Sequence, residues 1–480
     1  MSGVLPGPTA APDWTKLAGA LRGPLVRPGA AGYVSAARLY NPRFDAGALP
    51  AAIARCADPA DVATCTRFAA ESRVPFALRA GGHSYGGWSS CAGLVVDVSA
   101  LSTVTVDSAA ATARVGAGAV LADIYAALSS KGFALAAGSC PTVGITGLTL
   151  GGGVGVLTRA WGLTCDAVRA VEIVTADGTL RQVDAEHDAD LFWALRGGGG
   201  GSFGAVTAWT LAVRPAPLVQ TFYFSWSLAW AAEVLAGWQR WGPRTDPNLY
   251  STCKLLADPG TGEANVTVSG TWIGPAAALD AQLAPLLAQT PAPAARYVNS
   301  LSYARAMLLE AGCSGQDALQ CKTSALSPAN RQAFAATSSI VAAELPAAAI
   351  DVAVAQVHAA MNVRGLIEGG VSFDLLGGAA GQVASDATAF VHRAALATAQ
   401  YTATWSDGAS APAPFDSYVR GFRSAMRPWL GDAAYVNYAD ASISDYARAY
   451  WGANLPRLQQ VKRRVDPHGL FTFAQSVPNG

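Results

Sequence analysis

Gly138-Ser-Cys140-Pro-Thr-Val-Gly144-Ile-Thr-Gly147-Leu-Thr-Leu-Gly151-Gly-Gly-Val-Gly155 places six glycines between positions 144 and 155, with apolar residues between them. Neither a helix nor a regular strand tolerates that composition cheaply, so the backbone is read as wrapping closely around something. A second glycine cluster lies upstream, in Arg79-Ala-Gly-Gly-His83-Ser-Tyr-Gly-Gly87, directly after a strand at Val74–Leu78. Four glycines in nine residues let backbone N–H groups approach an anionic ligand such as a pyrophosphate. The G-x-G-x-x-G spacing that opens a helix is missing, so this is not the usual dinucleotide fingerprint. On the residues alone, His83 reads equally well as a surface histidine on a turn, and Cys140 better as a small buried thiol. Near the C-terminus, Tyr435-Val-Asn437-Tyr438-Ala-Asp440 has the period-2 pattern of a short strand, on which a tyrosine is usually a packing residue.

Around these motifs, 480 residues exceed what one hydrophobic core usually serves, and at least two lobes are expected. Residues 1–30, rich in Pro, Gly and Ala, read as an N-terminal arm. Residues 31–214 alternate β-branched runs (Phe76–Arg79, Leu94–Val98, Thr103–Val106, Val168–Thr175) with helical stretches (Ala60–Ser72, Val120–Lys131), the pattern of an α+β lobe with a mixed sheet. The glycine run Gly197–Gly201 and then Arg214-Pro-Ala-Pro mark its end. Residues 215–424 carry strand patterns at Gln220–Trp226, Val266–Trp272, Gly369–Leu376 and Thr398–Trp405 and a helix at Pro275–Ala288, which predicts a second sheet flanked by helices. Residues 425–480 form a C-terminal segment ending in a helix from Leu455 to Asp466-Pro.

Lys+Arg and Asp+Glu both number 33 and no basic cluster stands out, which argues against nucleic acid as a partner. No run reaches the 18 or so apolar residues of a membrane span. The first residues lack the basic and apolar regions of a signal peptide. Eight cysteines without C-x-x-C spacing argue against a metal site. Cys56 with Cys65 and Cys313 with Cys321 are each spaced to close a short loop in an oxidising compartment. The pairs lean towards export and the absent leader against it; secretion is favoured, and a monomer is expected.

Together the three motifs resemble one family closely: the FAD-linked oxidases of the vanillyl-alcohol oxidase superfamily (PCMH-type FAD-binding fold), in the berberine bridge enzyme-like branch that includes oligosaccharide oxidases. The resemblance is strong over residues 35–215 and 425–480 and weak between. It extends to Asp177-Gly178, to Asp190-Leu-Phe-Trp-Ala-Leu-Arg-Gly-Gly-Gly-Gly-Gly-Ser-Phe-Gly204, and to Asp466-Pro-His-Gly-Leu-Phe471. It implies a two-lobed α+β fold, in which the first lobe and the C-terminal segment bind FAD and the middle segment supplies an antiparallel substrate sheet. By the same resemblance, His83 bonds the flavin 8α-methyl carbon and Cys140 bonds C6. Arg79, Gly81, Gly82, Ser84, Val143, Gly144, Gly147, Gly151, Gly152, Gly155, Gly204, Val206, Tyr435 and Asn437 line the cofactor.

The implied reaction takes a hydride from a hydroxyl-bearing carbon and passes the electrons to O2, giving hydrogen peroxide. The cofactor supplies the redox step, while removal of the hydroxyl proton requires a general base within hydrogen-bond reach. The resemblance assigns that role to Tyr438, assisted by Asp374 on a strand of the substrate lobe. It also places Gln400 against the substrate, where alkaloid-cyclising relatives carry a titratable Glu. The substrate is expected to be a sugar, an oligosaccharide or a secondary-metabolite alcohol. Two other readings stand beside this one: a dehydrogenase using another electron acceptor, and a non-catalytic binding module that holds no flavin.

Overall fold

Short β-branched strands build two sheets in the first lobe. Ala52–Arg55, Leu94–Asp97 and Phe76–Arg79 lie side by side in parallel. The helix Pro59–Ser72 supplies the long return that parallel pairing needs. It starts where Asp58 accepts the N–H groups of Ala60 and Asp61 and Pro59 takes the first turn. The second sheet is antiparallel, in the order Val104–Asp107, Thr112–Gly116, Ala205–Ala212, Val168–Val174, Leu180–Asp184. The computed structural model describes residues 11–327, 330–406 and 411–480.

The N-terminal segment is not a free arm. Residues 1–10 lie outside the described residues, but Trp14–Ala20 is helical and Leu25–Val26 pairs antiparallel with Ile53 and Ala54. The N–H groups of Arg22 and Gly23 donate to the Asp61 carboxylate at 2.8 and 2.9 Å. These partners come from some 30–40 residues downstream, so no local periodicity announced them.

The middle of the chain forms one seven-stranded antiparallel sheet: Ala295–Ser302, Leu218–Ser227, Glu263–Trp272, Leu249–Asp258, Leu366–Leu375, Ala397–Trp405 and Ala333–Val341. Because side chains alternate along a strand, each strand has two chemically distinct faces. Cys253, Leu255, Val371, Phe373, Ala399 and Tyr401 enter a core shared with the helices Ala231–Trp241, Ala347–Ala360 and Ala413–Leu430. The opposite face carries Tyr250, Thr252, Lys254, Ser372, Asp374, Thr398 and Gln400. Cross-strand register aligns Thr252, Asp374 and Thr398 in one row and Lys254, Ser372 and Gln400 in the next.

The boundary expected at 424/425 falls inside the helix Ala413–Leu430, whose Phe422, Met426 and Leu430 belong to the core beneath the seven-stranded sheet. The chain then rejoins the first lobe, where Ala449, Tyr450, Trp451, Leu458 and Val461 share its core. Cys313 and Cys321 are disulfide-bonded. Cys56 and Cys65 are free thiols, both fully buried, packing as small apolar groups in the first core. Among the described residues, no helix is long and apolar enough to cross a membrane.

Candidate active site

The two glycine-rich stretches fold into loops that touch backbone to backbone. A Cβ on Gly81 would lie 2.4 Å from the Gly144 nitrogen, and one on Gly144 would lie 2.5 Å from the Gly81 nitrogen, so neither position accepts a side chain. This approach brings both His83 and Cys140 to Thr142. Thr142 Oγ1 is 2.9 Å from His83 Nε2 and 3.9 Å from Cys140 Sγ. Burial holds the His83 imidazole down to about 3, so it stays neutral near pH 7. Burial pushes the Cys140 thiol up, against hydrogen bonds from Thr142 that pull it down.

Other expected cofactor residues support this framework from within the protein. Ser84 Oγ accepts the Trp88 N–H at 3.2 Å, and Gly82, at φ +70°, gives its carbonyl to the Tyr40 N–H. Arg79 binds the carbonyls of Ala36 and Ser89 beside Asp97, bracing its own loop rather than reaching towards His83. Val143 packs on the first core, and its carbonyl accepts the Leu121 N–H. Cβ atoms on Gly151, Gly152 and Gly155 would meet Asn437, Phe390 and the Ala137 carbonyl. Gly204 and Val206 sit where the strand Ala205–Ala212 pairs with Val168–Val174. At Gly147 and Gly200, by contrast, a Cβ would meet nothing within 4 Å. The open face of Gly147, in the loop that carries Cys140, leaves this glycine cradle room for a flat, anionic cofactor.

The segment expected to be a strand at Tyr435–Tyr438 is a 3-10 turn over Val436–Tyr438. Its alternation has a different origin, since Tyr435 and Asn437 both turn towards the glycine loop. Tyr435 Oη accepts the N–H groups of Gly153 and Val154 at 3.1 and 3.2 Å, while Asn437 Nδ2 donates to Leu148 O at 3.0 Å and to Tyr435 Oη at 2.9 Å. The motif fastens the C-terminal segment to the cradle. It also sets Tyr438 over the site, its ring stacked on Tyr85 at 5.5 Å with 16° between planes. Among the described residues, the Tyr438 hydroxyl has no hydrogen-bond partner.

The polar face of the large sheet closes the other side. Gln400 Nε2 donates to Tyr85 Oη at 2.8 Å, so Gln400 holds the ring that stacks on Tyr438. Asp374 does not bond Tyr438, as the resemblance led one to expect. It accepts from Tyr250 Oη at 3.0 Å and from Thr398 Oγ1 at 3.4 Å, because register puts Thr398 directly opposite and Tyr250 one strand away. Asp374 lies on an inner strand, and burial holds its carboxyl above the usual range despite Lys254 and these two donors. Burial raises the Tyr438 and Tyr250 phenols, and the charge of Asp374 adds to both.

Tyr40, Thr142, Tyr85, Tyr250, Thr398 and Lys254 were not singled out from the sequence. Thr142 and Tyr85 lie inside the quoted motifs. Tyr250 and Lys254 were legible in principle, because Leu249–Asp258 alternates polar and apolar residues. Tyr40 carries no pattern; only tertiary contact reveals it.

Two family models match the chain: an FAD-binding domain over residues 50–184 and a berberine and berberine-like segment over residues 434–478. The uncharacterized FAD-linked oxidoreductase YgaK of Bacillus subtilis (strain 168) is 35% identical over 436 residues, covering 89% of this chain and 91% of its own. The structure of Physcomitrella patens BBE-like 1 superposes with a TM-score of 0.88 at 30% identity, over 97% of this chain and 99% of the other. A chitooligosaccharide oxidase superposes with a TM-score of 0.86 at 25% identity, over the same shares. The matched segments hold both glycine motifs and the Tyr435–Tyr438 turn, and the likeness runs through both lobes: the chain belongs to the berberine bridge enzyme-like family of FAD-linked oxidoreductases.

Proposed function

We propose that the protein holds FAD through bonds to both His83 and Cys140 and takes a hydride from a hydroxyl-bearing carbon of a sugar, oligosaccharide or secondary-metabolite alcohol, reducing O2 to hydrogen peroxide. The observation that carries this reading is the convergence of His83 and Cys140 on Thr142. The bound flavin would supply the two-electron acceptor. His83 is neutral, and with Nε2 occupied by Thr142 its Nδ1 is the ring nitrogen free to form a bond. Tyr438 presents an unengaged hydroxyl to receive the substrate proton. A raised phenol is a weak base by itself, so it must hand the proton on, and the Asp374 carboxylate is close enough for its charge to act on Tyr438. The rows of Thr, Ser, Gln and Lys on the sheet face suit a polyhydroxylated ligand, and the likeness to a chitooligosaccharide oxidase supports that substrate class.

Precipitating the purified protein with acid tests the attachment. The pellet should stay yellow for the wild type and for His83→Ala or Cys140→Ala alone, and turn colourless for the double variant; a colourless wild-type pellet overturns it. Oxygen uptake across sugars, oligosaccharides and aromatic alcohols tests the reaction, and dye reduction without peroxide would mean that the acceptor is not O2.

Asp374→Asn gives a further expectation. If the carboxylate is the active form, kcat rises with pH through a pKa above the usual Asp value, and that limb disappears in the variant. Equal loss of activity at every pH would assign Asp374 a structural role only.

A further inference from the structure

Tyr40 belongs to neither glycine motif, yet its ring covers one of the two residues on which the attachment depends. Its ring stacks on the His83 imidazole, with centroids 3.8 Å apart and 18° between planes. The placement is rigid. The Tyr40 N–H donates to Gly82 O at 3.2 Å, next to His83 in the chain. On either side, Leu39 O accepts from Arg331 Nη2 at 2.6 Å and Asn41 Nδ2 donates to Phe334 O at 2.9 Å. Arg331 is itself paired with Asp45 at 2.9 Å. The substrate lobe therefore clamps this segment and presses the Tyr40 ring onto the FAD-lobe loop.

We propose that Tyr40 is the positioning residue for the attachment at His83: its ring fixes the plane of the imidazole. The proposal rests on the reading that flavin is bonded at both residues. At His83, an imidazole N–H and a methyl C–H bond break, a C–N bond forms, and the two hydrogens with their electrons reduce dioxygen to hydrogen peroxide.

Mass mapping of the His83 and Cys140 peptides from proteins expressed in parallel tests the ring's role. Tyr40→Phe keeps the ring and should retain flavin on His83 at the wild-type level. Tyr40→Leu should lower the fraction attached at His83 tenfold or more while Cys140 stays occupied. His83 occupancy in Tyr40→Leu equal to the wild type overturns the proposal, and so does a parallel loss at both peptides. A wild type without flavin on either peptide refutes the attachment reading itself, and the proposal with it. Where Tyr40→Leu does not fold, Tyr40→Phe decides, and a tenfold loss at His83 with the ring retained overturns the ring's role.

Discussion

Replacing Tyr438 with Phe should lower kcat about 10²- to 10⁴-fold, the usual contribution of a positioned general base, while the flavin stays bound and KM changes little. The substitution removes one oxygen and keeps the ring that stacks on Tyr85 and packs edge-on against Tyr435. Neither the cradle nor the sheet face loses a contact, because the hydroxyl has no partner among the described residues. The loss would correspond to about 3–5 kcal/mol of transition-state stabilisation. Anaerobic mixing with substrate, following the bleaching of the flavin, isolates the step in which the hydroxyl proton leaves. A rate within threefold of the wild type would remove Tyr438 from proton transfer and turn attention to the Tyr250–Asp374 pair, which is already hydrogen-bonded at 3.0 Å.

The second large effect is on stability. Lys462 is buried in the C-terminal helix Leu455–Val465 with all three of its protons placed: on Asp466 Oδ2 at 2.6 Å, Ser202 O at 2.7 Å and Phe471 O at 2.7 Å. Asp466 is fully buried and also accepts the N–H groups of Leu470 and Phe471. The ammonium thus ties the last helix to the end of the glycine run and to the following turn. Burial pulls its pKa down and Asp466 pulls it back up. Lys462→Met leaves the carboxylate and two carbonyls without this donor, and breaking a buried pair by removing one partner costs about 3–5 kcal/mol. Thermal and urea unfolding should show the loss, with Lys462→Met/Asp466→Asn recovering part of it. An unchanged midpoint would mean that water reaches the pair.

How much was legible in the sequence differs between motifs for physical reasons. The glycines of Gly81–Gly87 and Gly144–Gly155 announced a backbone that approaches something closely, because only glycine permits it; that the two loops meet each other at Gly81 and Gly144 is visible only in the structure. The strands Gln220–Trp226 and Thr398–Trp405 were recognisable because one face is buried and the other polar, so period 2 is written into their composition. The same rule misled at Tyr435–Tyr438, where two residues point one way to hold a loop and not to build a sheet. The N-terminal arm was misread because its partners, Ile53, Ala54 and Asp61, are distant in sequence.

By itself the sequence determined which loops must bring backbone close to something, which strands have one buried face, and which histidine and cysteine stand in the glycine motifs. Those features are local: they depend on backbone freedom, on side-chain alternation and on residue type. Only the tertiary structure decided which groups act on one another. It gave Asp374 to Tyr250 and Thr398 instead of Tyr438, spent Gln400 on Tyr85, and set Tyr40 on His83. Such pairings follow from strand register and from the docking of one lobe on the other, in which a shift of a single residue turns every side chain to the opposite face. No window of sequence contains that register, because the residues that fix it lie on separate strands and in separate lobes.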